Sequence, residues 1–228
     1  VRKAHLSYIH MPGGDAAVLE PWRMAASVLF KAFGRKFLDL DLEYIRETDS
    51  KKLGFICQMM EKNLNSPLTS SAGRLFDAVS SLLGICHTIS HESQAAMELE
   101  ALAFQSTEKE PCDFDLDQAG DGIEINLMPC IRQIVRDLIQ GRAKADISAR
   151  FHQTMVKAFS TAASRISLET GLDRVVLSGG VFNNNMILTR MIRSLEENKF
   201  KVYTHTRVPC GDGGISLGQV LAAAAIMK

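Results

Sequence analysis

Paired cysteines, a net charge and long apolar runs are all missing from this sequence, and each absence removes a class of function. The five cysteines, Cys57, Cys86, Cys112, Cys130 and Cys210, are odd in number, widely spaced and form no CxxC pair. That pattern excludes a disulfide framework and a zinc-finger site, and it fits reduced thiols in a cytoplasmic protein. Basic and acidic residues both number 26, so no overall field draws the chain to nucleic acid or to an anionic membrane. No apolar run approaches the length of a membrane span, and the opening VRKAHLSYIH has no signal-peptide core. Internal repeats and low-complexity tracts are lacking as well. An initiator methionine is absent too, which leads us to expect a piece of a longer protein.

What is present is the composition of an ordinary globular protein: 228 residues, 46% hydrophobic and 23% charged, enough for one large domain or two small ones. PGGD at 12–15 reads as a turn, and Pro21 suits the first turn of a helix over 21–33. Residues 39–63 read as two short charged helices around Gly54, and PLTSS at 67–71 as a loop whose hydroxyls can cap the next helix. That helix, AGRLFDAVSSLLG, puts Leu75, Phe76, Val79, Leu82 and Leu83 on one face and stops at Gly84. SHESQAAMELEALAFQS is another, capped near Ser90 or Ser93. The period then changes: CDFDLDQAGDGIEINL alternates and predicts a β-hairpin turning at 120–122. Pro129 opens a helix to about residue 140. Asp146 is expected to cap a longer one, whose Phe151, Met155, Phe159, Ala162 and Ile166 form a buried stripe ending at Gly171. Strand 175–177, helix 186–197, strand 201–205 and an Ala-rich last helix complete the chain. We therefore expect an α/β fold, mainly helical over 1–110, with a mixed sheet under helical cover over 111–228.

Polar groups that chemistry can use stand at four places, each with a plainer reading beside it. In RVVLSGGVFNNNMIL, Gly179-Gly180 joins a strand to a helix N-terminus, where backbone N–H groups can face a ligand and glycine lets it come close. Asn183, Asn184 and Asn185 follow, able to cap the helix or to bond a ligand. The plainer reading is a tight corner with an Asn cap, because the GxGxxG fingerprint is absent. In PCGDGGISLG, Asp212 is a lone carboxylate that caps the last helix or ligates a hard metal ion. Gly73 and Asp77 lie one turn apart on AGRLFDAV; a carboxylate there accepts two ribose hydroxyls, or else forms a salt bridge or faces water. His87 and His91 have the i, i+4 spacing of metal ligands, but HTISH lacks the Glu of HExxH, and Ser90 can start a new helix between them. His5, His10, His152 and His205 are isolated.

In this order, MPGGDAAVLEPWRMA, PLTSSAGRLFDAVSSLLGIC, QAAMELEALA, ARFHQTM, VVLSGGVFNNNMIL and PCGDGGISLGQ resemble the HypF family of hydrogenase-maturation carbamoyltransferases over essentially the whole chain. The resemblance is to the C-terminal part of that family's TsaD-like domain, and it implies an actin-like ATPase fold with ribonuclease H-like lobes. It implies transfer of a carbamoyl group from ATP-derived carbamoyl-adenylate to the C-terminal cysteine of the partner HypE, toward the cyanide ligands of nickel–iron hydrogenase. Carbamoyl phosphate and ATP would enter through domains outside this sequence. By the same resemblance Gly73 and Asp77 match the helix pair at the nucleotide ribose, and Asn184 matches the nucleoside-contacting Asn behind the Gly179-Gly180 turn. Asp212 matches a ligand of the active-site metal, iron in relatives. The family's His-rich metal motif and its phosphate-binding glycine segment are not in the sequence, so the chain alone is expected to be inactive, and no catalytic residue is named. His91 stands where the family has an aromatic residue, usually Tyr, and Ser93 where Gly or Ala is typical, so no role is assigned to Glu92. Two other classes remain: a non-catalytic lobe that binds nucleotide or a partner, and an unrelated actin-fold kinase or ATPase.

Overall fold

Local chemistry starts and stops most of the elements. The computed structural model describes residues 1–120 and 122–227. Strands β1 (Ala4–Leu6) and β2 (Ile9–His10) lead into the turn at 12–15, then α1 (Ala16–Leu19) and α2 (Pro21–Phe33), with Pro21 where a helix needs no N–H. Two short helices follow as expected, α3 (Glu43–Glu47) and α4 (Ser50–Glu61), but they do not divide at Gly54. Asp49 divides them: its carboxylate accepts from the N–H groups of Lys51 at 2.7 Å and Lys52 at 3.3 Å, and the helix so capped runs straight through Gly54. Nor is 67–71 all loop, since β3 (Leu68–Thr69) pairs antiparallel with β2. Neither Ser71 nor Ser93 uses its side chain to cap α5 (Ala72–Leu82) or α6 (Gln94–Ala103).

The expected hairpin forms from β4 (Asp115–Ala119) and β5 (Gly122–Asn126), with Leu116 opposite Ile125; Asp121, in the expected turn, lies outside the described residues. Next come α7 (Met128–Ile139) and α8 (Lys144–Thr170). Asp146 does not cap α8. The helix begins two residues earlier, after Ala143, and Asp146 accepts a hydrogen bond from Ser106 Oγ instead. The chain closes with β6 (Arg174–Leu177), a 3₁₀ turn (Gly180–Asn183), α9 (Asn185–Glu197), β7 (Lys201–Thr204), a further 3₁₀ turn (Asp212–Gly214) and α10 (Ile215–Ile226).

The strands make three small sheets rather than one. β1 enters parallel to β5, Leu6 opposite Ile125, giving the mixed order β1-β5-β4; the helix-rich first part thus lends a strand to the second. β2–β3 and the parallel β6–β7 stand as pairs. One core runs through Met24 and Leu29 of α2, Leu75 and Val79 of α5, Ile125 of β5 and Met155 of α8. Within it Phe76 meets Phe151 edge-to-face at 5.0 Å and 71°, a geometry worth about 0.5–1.5 kcal/mol beyond its area. α8 packs against α6 on one side and α9 on the other. That packing sets the first turn of α9, and the 3₁₀ turn before it, over α8 and against α5. No helix among the described residues is long and apolar enough to cross a membrane.

Candidate functional site

Beyond the ends of the parallel strands β6 and β7, two loops are clasped together. Gly179 has φ 105° and ψ 157°, a conformation L side chains rarely adopt, and its N–H donates to the Cys210 carbonyl at 2.7 Å. Ser178 Oγ donates to the same carbonyl at 3.3 Å and lies 3.0 Å from His205 Nε2. Cys210 Sγ donates to Asn183 Oδ1 at 3.2 Å. Between the loops is a cavity of about 310 Å³ lined by Ser178, Gly179, His205, Cys210, Asp212 and Gly214 among others, at the small end of ligand-site volumes. A Cβ at Gly179 or Gly180 would meet nothing within 4 Å, so this side of the turn is open. A larger cavity, about 450 Å³, is lined mostly by apolar side chains such as Leu6, Ile125, Met155 and Phe182, and supplies apolar contact rather than reactive groups.

Behind the turn, Asn184 caps α9: its Oδ1 accepts the Ile187 N–H at 2.8 Å. Its Nδ2 donates to His152 Nε2 at 3.1 Å, and His152 Nδ1 lies 2.8 Å from the Ser148 carbonyl. Burial lowers His152 to about 4, with Arg190 pulling the same way and the Ser148 bond opposing, so the ring is neutral at pH 7. The Asn cap foreseen as the plainer reading is therefore made. The bonds to Ile187 and His152 use one lone pair and one amide N–H of Asn184.

Asp212 is exposed, opens its 3₁₀ turn, and makes no capping bond there or at α10. No group of three His, Cys, Asp or Glu among the described residues could hold a metal ion. Asp77 is not an open acceptor. It is buried on α5 with its Oδ2 2.9 Å from Arg74 Nη1. The pair is close enough to attract but not aligned to bond: both atoms are buried and lack a hydrogen-bond partner. Burial pushes the Asp77 carboxyl up to about 6 despite the opposing pull of Arg74.

The structure thus brings Gly179 and Asp212 to one cavity and sets Gly180 beside Gly211 at its edge, while Asn184, at the start of α9, bonds His152 and does not line that cavity. Gly73 and Asp77 lie on α5, which packs against the same 3₁₀ turn without lining that cavity. His87 and His91 share no helix, since α6 begins only at Gln94, and His87 Nδ1 is instead 2.8 Å from Ser81 Oγ. Sequence reasoning missed His152 and His205. For His152 a signal existed: it follows Phe151 of the buried stripe, and a buried imidazole needs partners.

A family model described as carbamoyltransferase, Kae1-like domain, second subdomain, matches residues 1–219. The carbamoyltransferase HypF of Rhodobacter capsulatus is 36% identical over 228 residues, covering 100% of this chain and 28% of that protein. A crystal structure of full-length HypF in its phosphate- and nucleotide-bound form matches with a TM-score of 0.93 at 37% identity, over 100% of this chain and 29% of that one. More distantly, the tRNA N6-adenosine threonylcarbamoyltransferase of Ehrlichia canis is 26% identical over 171 residues, 68% of this chain and 45% of that protein. The chain spans less than a third of the length of the two HypF proteins. It has the mixed α/β fold of the Kae1-like domain and belongs to the HypF carbamoyltransferase family, matching the second subdomain of that domain.

Proposed function

We propose that the chain supplies the nucleoside wall of a site that moves a carbamoyl group from carbamoyl-adenylate to the C-terminal cysteine of HypE, toward the cyanide ligands of nickel–iron hydrogenase. The observation that carries this reading is the open Gly179-Gly180 turn, clasped to the Cys210 loop before the N-terminus of α9, with Asp212 on the same cavity. Glycine backbone before a helix N-terminus suits a phosphorylated nucleoside. The relative at 37% identity is described as phosphate- and nucleotide-bound, which supports the same ligand class. The Oδ2 of Asp77 lies 2.9 Å from Arg74 Nη1 without bonding it, so it would accept a ribose hydroxyl only with the Arg74 side chain moved aside; Gly73 one turn earlier carries no side chain to cover that face of α5.

In the transfer, the partner's thiolate attacks the carbamoyl carbon. The S–C bond forms as the C–O bond to the phosphate breaks, and AMP leaves with the electron pair. The Gly179-Gly180 turn and Asn184 hold the adenosine still, which lowers the entropic cost of bringing thiolate and carbonyl together. The nucleophile arrives with the partner, and four of the five free cysteines here are buried, so none is assigned to the reaction. Carbamoyl phosphate and ATP belong to the full-length enzyme, and the free thiols of this chain fit a cytoplasmic setting. For the isolated chain the second reading is a lobe that binds nucleotide or a partner without activity of its own.

Asp212 as one ligand of an iron completed by other residues is a separate proposal. Asp212→Asn in the full-length protein is expected to lower bound iron per chain with the melting temperature unchanged, and full occupancy would leave Asp212 a loop carboxylate. The function itself is tested by giving the full-length protein labelled carbamoyl phosphate, ATP and HypE. Label on the terminal cysteine of HypE, lost in Gly180→Val, is the expected outcome. HypE left unlabelled by folded wild-type protein would sink the assignment.

A further inference from the structure

His152 is completely buried on α8, between the two halves of the candidate site. Its ring lies edge-on to Phe76 at 5.3 Å and 76°, next to Asp77 on α5, and edge-on to Phe151 at 6.1 Å. On its other side it meets Asn184, which opens α9 behind the glycine turn. The direction of every bond in this chain of groups is forced. The Ser148 carbonyl can only accept, so Nδ1 carries the hydrogen. In a neutral ring Nε2 must then accept, so Asn184 turns its NH₂ toward His152. That leaves Oδ1 facing the Ile187 N–H, which can only donate. One tautomer and one amide orientation satisfy all four groups. Ser148 is anchored in turn, its Oγ donating to the Leu99 carbonyl at 2.7 Å, so the line reaches back to α6.

We propose that His152 is a positioning residue for the nucleotide site, acting through Asn184: it fixes the amide so that one N–H stays free beneath the Gly179-Gly180 turn. This rests on the nucleoside role of Asn184 proposed above. Without an acceptor at Nε2 the buried Nδ2 loses its partner and only the Ile187 N–H still holds the amide, so its position slackens. The turn itself keeps its backbone bonds, Gly179 N–H to the Cys210 carbonyl and Phe182 N–H to the Gly179 carbonyl, so the fault is confined to the amide.

The test uses full-length protein with HypE and carbamoyl-adenylate as the probe, comparing His152→Phe, His152→Gln, Asn184→Ala and the double variant His152→Phe/Asn184→Ala. His152→Phe keeps an aromatic ring against Phe76 and Phe151 but cannot accept. We expect it to raise KM for carbamoyl-adenylate about tenfold, the scale of one buried donor losing its partner. His152→Gln, which offers a carbonyl, should recover part of that loss. The double variant should be no worse than Asn184→Ala alone, because the two side chains act as one unit. Additive losses, or a KM unchanged in His152→Phe while Asn184→Ala raises it, would overturn the positioning role and leave the site reading intact. If Asn184→Ala leaves KM unchanged in a protein that melts like wild type, the nucleoside role fails and this inference falls with it.

Discussion

Two buried titratable residues beside the candidate site pull stability in opposite directions with pH. Burial raises Asp77 to about 6 from an ordinary value of 3.8, so between these values the folded chain holds a proton that the unfolded chain releases. Its contribution is therefore favourable at low pH and is lost as pH rises through the window, by at most about 3 kcal/mol. His152 is lowered to about 4 from 6.5, so its contribution is present above 6.5 and is lost as pH falls toward 4. The windows overlap, and the wild-type profile alone hides both. Asp77→Asn separates them: relative to wild type it should gain about 1.4 kcal/mol in urea unfolding between pH 5 and pH 7.5, the part of the window above pH 5. An equal difference at both pH values would mean that the Asp77 carboxyl is not raised.

At the scale of elements, α7 and α8 are tied by a buried ion pair. Arg150 Nη1 bonds Asp137 Oδ2, and Arg142 stands further off at 3.8 Å. Arg150→Met leaves Asp137 buried with only the weaker partner, and we expect a loss of about 3–5 kcal/mol. Changing both residues, to Met and Leu, should cost clearly less than the single change. A double variant as unstable as the sum of its parts would contradict this. Such pairings are invisible in the sequence, whereas the elements they join were largely legible. Helix 186–197 follows from periodicity, and so does the stripe Phe151, Met155, Phe159, Ala162 and Ile166, although Phe159 and Ile166 are only half-buried; Gly171 ends α8 at φ 71° as expected. The misplaced boundaries have a common cause: residue type alone points to Gly54 as a break and Asp146 as a cap. In fact Asp49 supplied the cap before α4, and Ser106, distant in sequence, engaged Asp146. At the site, the glycine corner and the Asn cap were legible because both are local. The link from Asn184 to His152 joins residues 32 apart, and only the fold brings them together.

Across the whole molecule the core is concentrated in α2, α5, α7 and α8, while α10 is exposed along its length, with Val220 65% and Leu221 63% accessible. The sequence foretold an Ala-rich last helix; whether a helix has a partner is a tertiary property that composition cannot carry. The proposed nucleoside site lies on one surface: the open face of the Gly179-Gly180 turn. Gly180 allows this surface to be tested without disturbing the fold, since a Cβ there meets nothing within 4 Å and its φ is not in the left-handed region. The most direct measurement is KM for carbamoyl-adenylate in full-length Gly180→Val, with its melting temperature as the control. If nucleoside lies against this turn, KM rises tenfold or more, about 1.4 kcal/mol, with melting unchanged. An unchanged KM in a protein that melts like wild type would contradict the account.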